Sequence, residues 1–322
     1  MPSFQTDTIV TGHPEKLKVS IRRFPQVFAE ALKELLKNDP LRMAGATAFF
    51  TTFALPPILV ILIQLFKLVL KPETIRVELF KSLSGIVGPE TVQQIGTILR
   101  SIRSLAQNWY ITIGGFIFLL FVATTLFKII KNSLNQVWKI RPVGRQKLGK
   151  VLRMRFQSVM VILVAGVLFM IGIMAEGVQA FIGQYVFKLS PFLSFYFNTI
   201  VNHILSIFIV TLWFTIVFRF LPDARPAWNI ALAGGLLTSL LFTLGKIILH
   251  WLLSYSNINT VYGTSASIVL LLLFVFYSSL ILYYGAAFTK IWSLYKDQPI
   301  KPLAHAIHYR IIESEVERKG NA

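Results

Sequence analysis

Long apolar stretches dominate this chain, and their lengths predict membrane-spanning helices. A helix rises about 1.5 Å per residue, so a hydrocarbon layer of about 30 Å takes about 20 apolar residues to cross. Stretches free of Lys, Arg, Asp and Glu occur at residues 43–66, 104–127, 156–175, 189–218, 226–245 and 247–289. The last is too long for one helix, and turn-forming residues at 254–263 divide it. We therefore predict an all-α integral membrane protein with six spans, at about 43–67, 109–131, 156–182, 196–219, 228–251 and 265–289.

Two further segments place apolar residues on one helical face only. Within residues 24–36, Val27, Ala31 and Leu35 recur every four positions while the lysines fall elsewhere. This pattern predicts an amphipathic helix lying at the inner membrane interface. Residues 71–108, between spans one and two, show a similar spacing and predict one or two amphipathic helices outside the membrane. These outer helices would either seal the bundle or gate a substrate.

Adjacent prolines lie near the middle of span one. A proline inside a helix removes a backbone hydrogen bond and clashes with the preceding turn. Pro56 and Pro57 therefore predict a bend or a partial unwinding at residues 54–57.

Composition supports the membrane assignment, and the placement of charge orients the chain. Hydrophobic residues make up 55% of the 322 residues and charged residues 14%, against about 25% charged in soluble domains. About three quarters of the 32 Lys and Arg residues flank one side of the predicted spans. The positive-inside rule then predicts that both termini are cytoplasmic. The predicted organisation is a basic N-terminal segment (1–42), a transmembrane domain (43–292) and a cytoplasmic tail (293–322).

The net charge of +18 does not by itself indicate a nucleic-acid partner. Because the basic residues lie beside the spans, they favour anionic lipid headgroups at the cytoplasmic face of the membrane as partners. The sequence contains no cysteine and no nucleotide-binding or hydrolase motif, so we predict no catalytic residues, no cofactor and no metal site. His305 and His308 are three residues apart, but no further metal ligands accompany them, and we interpret them as a solvated helix face. The sequence leaves the oligomeric state open.

Ionisable and amide side chains inside predicted spans are the best pointers to function, because they are costly in lipid. With the predicted orientation, those of spans one, three, four and five all fall in the outer half of the membrane. They predict an outward-facing polar cavity with Glu176 and Lys246 as a possible ion pair. The alternative is that Lys246 extends to the headgroups and Glu176 only joins helices. The candidate cavity residues are Gln64, Glu176, Gln179, Asn202, His203, Lys246 and His250.

Three stretches together resemble the YihY/BrkB family of bacterial inner-membrane proteins, once labelled ribonuclease BN. The first is residues 44–57, rich in small residues and containing Pro56 and Pro57. The second is the Leu-Asn-x-x-Trp motif at the inner end of span two, and the third covers the last span. The residues that carry the resemblance are Pro56, Pro57, Asn135, Trp138, Arg141, Arg219, Tyr262, Gly263 and Gly285.

The resemblance extends from about residue 24 to residue 292 and implies a six-helix inner-membrane protein. For the family, export of lipids or lipopolysaccharide precursors and a link to virulence have been suggested. This chain departs from the family at one point: it has Gly285-Ala286-Ala287 where the family often has Gly-Ala-Glu. This chain therefore lacks the carboxylate at that position, which puts its role in doubt here.

Two functions follow from these observations. The first is a transporter-like protein that binds or moves a lipid or another amphiphile through the outward polar cavity. The second is a membrane scaffold that recruits partners or anionic lipids through its basic cytoplasmic face. A ribonuclease is rejected, since no nuclease residues accompany the basic loops.

Overall fold

A computed structural model of the chain describes residues 24–66, 109–143, 191–255 and 266–309, with a few isolated positions in 84–97 and 160–172. These four segments contain six helices and four short strands. The helices are α1 (Phe24–Leu36), α2 (Pro40–Phe66), α3 (Trp109–Val137), α4 (Pro191–Phe220), α5 (Trp228–Tyr255) and α6 (Ala266–Tyr295). The strands are β1 (Ile140–Pro142), β2 (Ala224–Arg225), β3 (Lys301–Pro302) and β4 (Ala306–His308).

Helix α1 has the bounds that its apolar periodicity predicts. Val27, Ala31 and Leu35 are buried, and α1 packs against α6. The rings of Phe28 and Phe288 lie 5.3 Å apart, and the Tyr284 hydroxyl donates to the Phe28 carbonyl at 3.2 Å. Part of the apolar face of α1 therefore covers another helix, and the position of α1 at the membrane interface stays a prediction.

Helix α6 is the central element, since it packs against α1, α2, α3 and α5. Its Tyr283, Ala286 and Ala287 are fully buried, and the small alanines let the neighbouring helices approach. The Tyr283 hydroxyl and the Thr47 hydroxyl of α2 form a 2.6 Å hydrogen bond. The main apolar core surrounds this half of α6 and includes Trp138 and Phe218.

Glycine–threonine contacts join α5 to α6. In α5 Gly234 precedes Thr238 by four residues, and in α6 Gly285 precedes Thr289 by four. Thr289 lies against Gly234, and Thr238 lies against Gly285, so closely that a Cβ atom on either glycine would overlap it. Each threonine hydroxyl donates to the carbonyl of the glycine on its own helix, at 2.6 and 2.7 Å. The two helices therefore interlock reciprocally.

Helices α4 and α5 pack by a related pattern. The hydroxyls of Thr211 and Ser239 form a 2.7 Å hydrogen bond, and Thr215 lies against Gly235. A Cβ atom on Gly235 would lie 2.8 Å from the Thr211 carbonyl oxygen. Helices α4 and α5 therefore approach each other closely at Gly235.

At one end of the bundle α2 and α5 begin and α3, α4 and α6 end. We call it the basic end, because Lys131, Lys139, Arg225, Lys290 and Lys301 lie at or near it. Here the tail segment, residues 300–309, pairs with two separate loops. β4 pairs antiparallel with β1 after α3, and β3 pairs antiparallel with β2 between α4 and α5.

These strands and the tail correct two sequence predictions. The chain is mostly helical, but it is not all-α at the basic end. His305 and His308 lie in the turn and strand of the tail segment, so their assignment to a solvated helix face is wrong. Spacing misled the prediction, because strands of two or three residues are stabilised by distant partners and leave no periodic pattern.

The helix containing Pro56 and Pro57 also differs from the expectation. Helix α2 continues without interruption from Pro40 to Phe66, so the partial unwinding predicted at residues 54–57 does not occur. A helix in an apolar setting keeps its remaining backbone hydrogen bonds, because unwinding would leave further groups unpaired.

Three helices in the described part of the chain are long and apolar enough to cross a membrane. Their qualifying stretches are His203–Phe220, Trp228–Leu249 and Ile268–Tyr295. On α5 an exposed apolar stripe repeats every four residues from Trp228 through Leu232, Leu236, Leu240 and Leu244 to Ile248. Such a stripe is typical of a surface that contacts lipid. The number of six spans and the orientation stay predictions.

Candidate functional site

The residues predicted to form the polar cavity are only partly placed. Glu176 and Gln179 lie outside the described residues. Gln64, Asn202 and His250 lie in helices α2, α4 and α5, but their side chains are also outside the description. Lys246 is half-buried on α5, and His203 is exposed on α4. The proposed pairing of Glu176 with Lys246 therefore stays a prediction.

His203 and Lys246 nevertheless lie at the same depth in the bundle. The Thr211–Ser239 contact fixes the antiparallel register of α4 and α5. Eight residues further along each helix, about two turns, His203 comes level with Ile247, next to Lys246. Lys246 lies about 27 Å along α5 from its start at Trp228. Both groups thus lie far from the basic end.

A third polar side chain reaches this depth from α6. Gly245 leaves space for Tyr277, because a Cβ atom there would lie 2.6 Å from Cε2 of the tyrosine ring. His203, Lys246 and Tyr277 define what we call the polar level. Neither Lys246 nor His203 has an ion pair with another described residue. A cation, an imidazole and a phenol at one depth can contact the headgroup of an anionic amphiphile.

The basic end holds a buried polar group that the sequence did not predict, the Asp223 cluster. It consists of Asp223, Lys131, Asn135 and His305. Lys131 Nζ lies 2.7 Å and His305 Nε2 lies 2.8 Å from Asp223 Oδ1. Asn135 Nδ2 donates to Oδ2 at 2.9 Å, while the Asp223 amide donates to Asn135 Oδ1 at 2.8 Å. One carboxylate therefore joins α3, the α4–α5 loop and the tail segment.

The environment of Asp223 keeps it ionised. Burial alone would raise its pKa, but the hydrogen bonds from Lys131 and His305, with the charge of Lys131, outweigh burial and lower the pKa below 3.8. The Lys131 and Asp223 side chains are only 10% and 6% exposed. At neutral pH the cluster therefore contains a buried ion pair whose oxygen atoms are satisfied, which favours a structural role.

A second ion pair ties α1 to α6. Lys290 Nζ lies 2.6 Å from Glu34 Oε1 and donates to the Val137 carbonyl at 3.0 Å. Lys139 Nζ donates to Asn38 Oδ1 at 3.0 Å, so the turn after α1 and the turn after α3 are also joined. These bonds close the basic end around the last turns of α6.

Several residues singled out by the family resemblance are structural at this end. The Trp138 indole is 1% exposed and donates to the Ala286 carbonyl at 2.9 Å. Asn135 belongs to the Asp223 cluster, and Gly285 permits the contact with Thr238. Arg219 donates to the Pro226 carbonyl, and its guanidinium lies 4.3 Å from the Trp228 ring centre.

The other residues that carry the family resemblance have no described contact with the Asp223 cluster or the polar level. Arg141 is exposed on β1, opposite Ile307 of β4. Tyr262 and Gly263 lie outside the described residues, as do the side chains of Pro56 and Pro57.

Sequence reasoning missed Lys131 and His305 as partners of Asp223. Neither residue is close to Asp223 in the sequence. The available signal was the rarity of acidic residues, since the chain has 14. A buried carboxylate in the loop between two membrane helices needs cationic partners. The sequence does not reveal which residues these are.

Among the described residues no group of three or more His, Cys, Asp or Glu side chains could hold a metal ion. The polar level suits contact with a ligand, and the Asp223 cluster suits a structural role that holds the basic end together.

Comparison with known proteins assigns the family. The family described as "Virulence factor BrkB" matches residues 31–306. The chain belongs to the BrkB family. The matched residues include α2–α6 and the tail segment through β3, with every member of the Asp223 cluster.

Relatives of this BrkB-family chain carry the name UPF0761 membrane protein. One from Saccharophagus degradans is 24% identical over 283 residues, covering 85% of this chain and 62% of the relative. One from Delftia acidovorans is 25% identical over 291 residues, covering 86% and 64%. One from Haemophilus influenzae is 24% identical over 271 residues, covering 83% and 94%.

The BrkB-family chain thus spans less than two thirds of the first two of these relatives. No solved structure matches it. Its family, the names of these relatives and its apolar helices together make it a membrane protein.

Proposed function

We propose that this protein binds, and moves, an anionic lipid or a similar amphiphile at the polar level, which opens at the end of the bundle away from the basic end. In this proposal the chain crosses the bacterial inner membrane six times, with both termini in the cytoplasm. The polar level then lies in the outer half of the membrane. The protein acts by binding, and no catalytic step is included.

The observation that carries the proposal is the half-buried Lys246, set far from the basic end and without an ion pair in the described part of the chain. A cation inside a membrane segment is costly unless an anion or water reaches it. At the other end of the bundle, Lys131 and Lys290 each have a carboxylate partner at 2.6–2.7 Å. A headgroup oxyanion would give Lys246 the negatively charged partner that Asp223 gives Lys131 and Glu34 gives Lys290.

The closed packing of the basic end supports a single direction of access. The basic end is closed by two ion pairs, two strand pairs and the Trp138 hydrogen bond. The α4–α5–α6 contacts through glycine, serine and threonine hold the helices close between the two ends. In this proposal a headgroup therefore reaches the polar level from the opposite side, because the closed basic end blocks its passage in this conformation.

The experiment compares lipids that remain bound after purification in mild detergent. Native mass spectrometry of the wild-type protein should show bound phospholipid, and Lys246→Ala should lose it. Lys128→Ala is the matched control, because it removes an equal charge from an exposed position on α3. Glu176→Ala in the same assay tests the predicted second headgroup contact. Equal lipid retention by wild type and Lys246→Ala, or no bound lipid in the wild type, contradicts the proposal.

A further inference from the structure

The Tyr277 hydroxyl is a buried donor without a hydrogen-bond partner in the described part of the chain. The neighbouring Ser278 hydroxyl donates to the Phe274 carbonyl at 2.7 Å and does not pair with Tyr277 in hydrogen-bond geometry. Buried polar side chains in native proteins are nearly always paired, and one left unpaired costs about 1–3 kcal/mol. A group from outside the protein's own side chains is therefore expected to satisfy this hydroxyl.

Other tyrosines of α6 show the usual arrangement. The Tyr283 hydroxyl pairs with Thr47, and the Tyr284 hydroxyl donates to the Phe28 carbonyl. Both lie closer to the basic end than Tyr277 does, by roughly 10 Å along α6. Within this helix the unpaired hydroxyl thus coincides with the depth of Lys246 and His203.

Helix packing keeps Tyr277 at this depth. Its ring lies against Gly245 of α5, at a point where any side chain would overlap Cε2. The rings of Phe274 and Tyr277 lie 5.4 Å apart at an interplanar angle of 84°, which supports the ring from the same helix. The hydroxyl is therefore held in place, one residue from the level of the half-buried Lys246.

We propose that Tyr277 is a ligand-binding residue whose hydroxyl donates a hydrogen bond to an oxyanion oxygen of a phospholipid headgroup at the polar level. This inference rests on the proposed function. The phenol supplies direction and Lys246 supplies charge, a combination that favours a phosphate oxygen over an uncharged headgroup. Phosphatidylglycerol is preferred over phosphatidylcholine, whose quaternary ammonium group Lys246 would repel.

The test uses Tyr277→Phe, which removes only the hydroxyl. Wild type and variant are reconstituted in nanodiscs containing equal amounts of phosphatidylglycerol and phosphatidylcholine, and the lipids retained after transfer to detergent are counted by native mass spectrometry. We expect about tenfold weaker retention of phosphatidylglycerol in the variant, the size of one hydrogen bond to a charged acceptor. The thermal unfolding midpoint should stay the same or rise, because no protein hydrogen bond is lost.

Tyr284→Phe is the matched control. It removes a hydroxyl that is paired within the protein, so it should lower the unfolding midpoint and leave lipid retention unchanged. If Tyr277→Phe retains phosphatidylglycerol like the wild type while Lys246→Ala loses it, the inference about Tyr277 is wrong and the proposed function stands. A loss of stability in Tyr277→Phe equal to that in Tyr284→Phe, or a failure to fold, also overturns it. If the wild type retains no phospholipid, both proposals are wrong.

Discussion

The contact between α5 and α6 makes a quantitative prediction about glycine. Gly234→Ala would place a methyl group against Thr289, whose Cβ lies 3.1 Å from the new atom and whose Oγ1 lies closer still. Gly45→Ala is the matched control, since a methyl group there meets no atom within 4 Å. Both positions are helical, so both variants gain about 1 kcal/mol of helix propensity.

Overpacking in a tight helix contact costs about 1–3 kcal/mol. Because the propensity gain is shared, the difference between the two variants isolates this cost. We expect Gly45→Ala to be neutral or more stable than the wild type. Gly234→Ala should be about 1–3 kcal/mol less stable than Gly45→Ala.

The assay is unfolding of the purified protein in mixed micelles by increasing fractions of SDS, followed by tryptophan fluorescence. The wild type, Gly234→Ala, Thr289→Ala and the variant with both changes form a double-mutant cycle. Removing the threonine hydroxyl and methyl should relieve part of the overlap, so the double variant should be more stable than additivity predicts. Equal stability of Gly234→Ala and Gly45→Ala would show that α5 and α6 do not approach this closely.

Two further predictions concern the Asp223 cluster. Lys131→Met should lower the free energy of unfolding by about 3–5 kcal/mol, because it leaves a buried carboxylate without its ammonium partner, and Lys131→Met/Asp223→Asn should recover part of this loss in the same SDS titration. The pH dependence has a definite sign: the folded protein lowers the pKa of Asp223, so the stabilisation is complete above about pH 5 and declines as the pH falls below about 4. The stability difference between wild type and Asp223→Asn, measured from pH 7 to pH 3, should therefore shrink at the acidic end, and a constant difference would argue against the ion pair.

The sequence predicted the local elements well. The bounds of α1 follow from Val27, Ala31 and Leu35, because helical periodicity over three turns is a local signal. The long apolar stretches likewise coincide with α2–α6.

Contacts between distant segments could not be predicted in the same way. Asn135 and Asp223 are 88 residues apart, and Asp223 and His305 are 82 apart. Their partnership depends on which helix ends share one end of the bundle. The two short strand pairs depend on the same arrangement.

The predicted polar cavity is the remaining case. Depth along a helix can be counted from the sequence, and the register between α4, α5 and α6 brings His203 and Lys246 to one level. The direction of each side chain around its helix depends on packing that the count does not contain. Tyr277 was missed for this reason, since an unpaired hydroxyl is visible only once its neighbours are placed.

The position of the tail segment has a consequence for biosynthesis. Residues 300–309 are translated after all six helices described here, yet they supply β3, β4 and the His305 contact with Asp223. Until they leave the ribosome, the loops after α3 and α4 have open strand edges, and Asp223 lacks one of its hydrogen bonds. A nascent chain can insert its helices in order, but it completes the basic end only after residues 300–309 have been translated. A chain interrupted before residue 300 would therefore expose both loop edges at this surface.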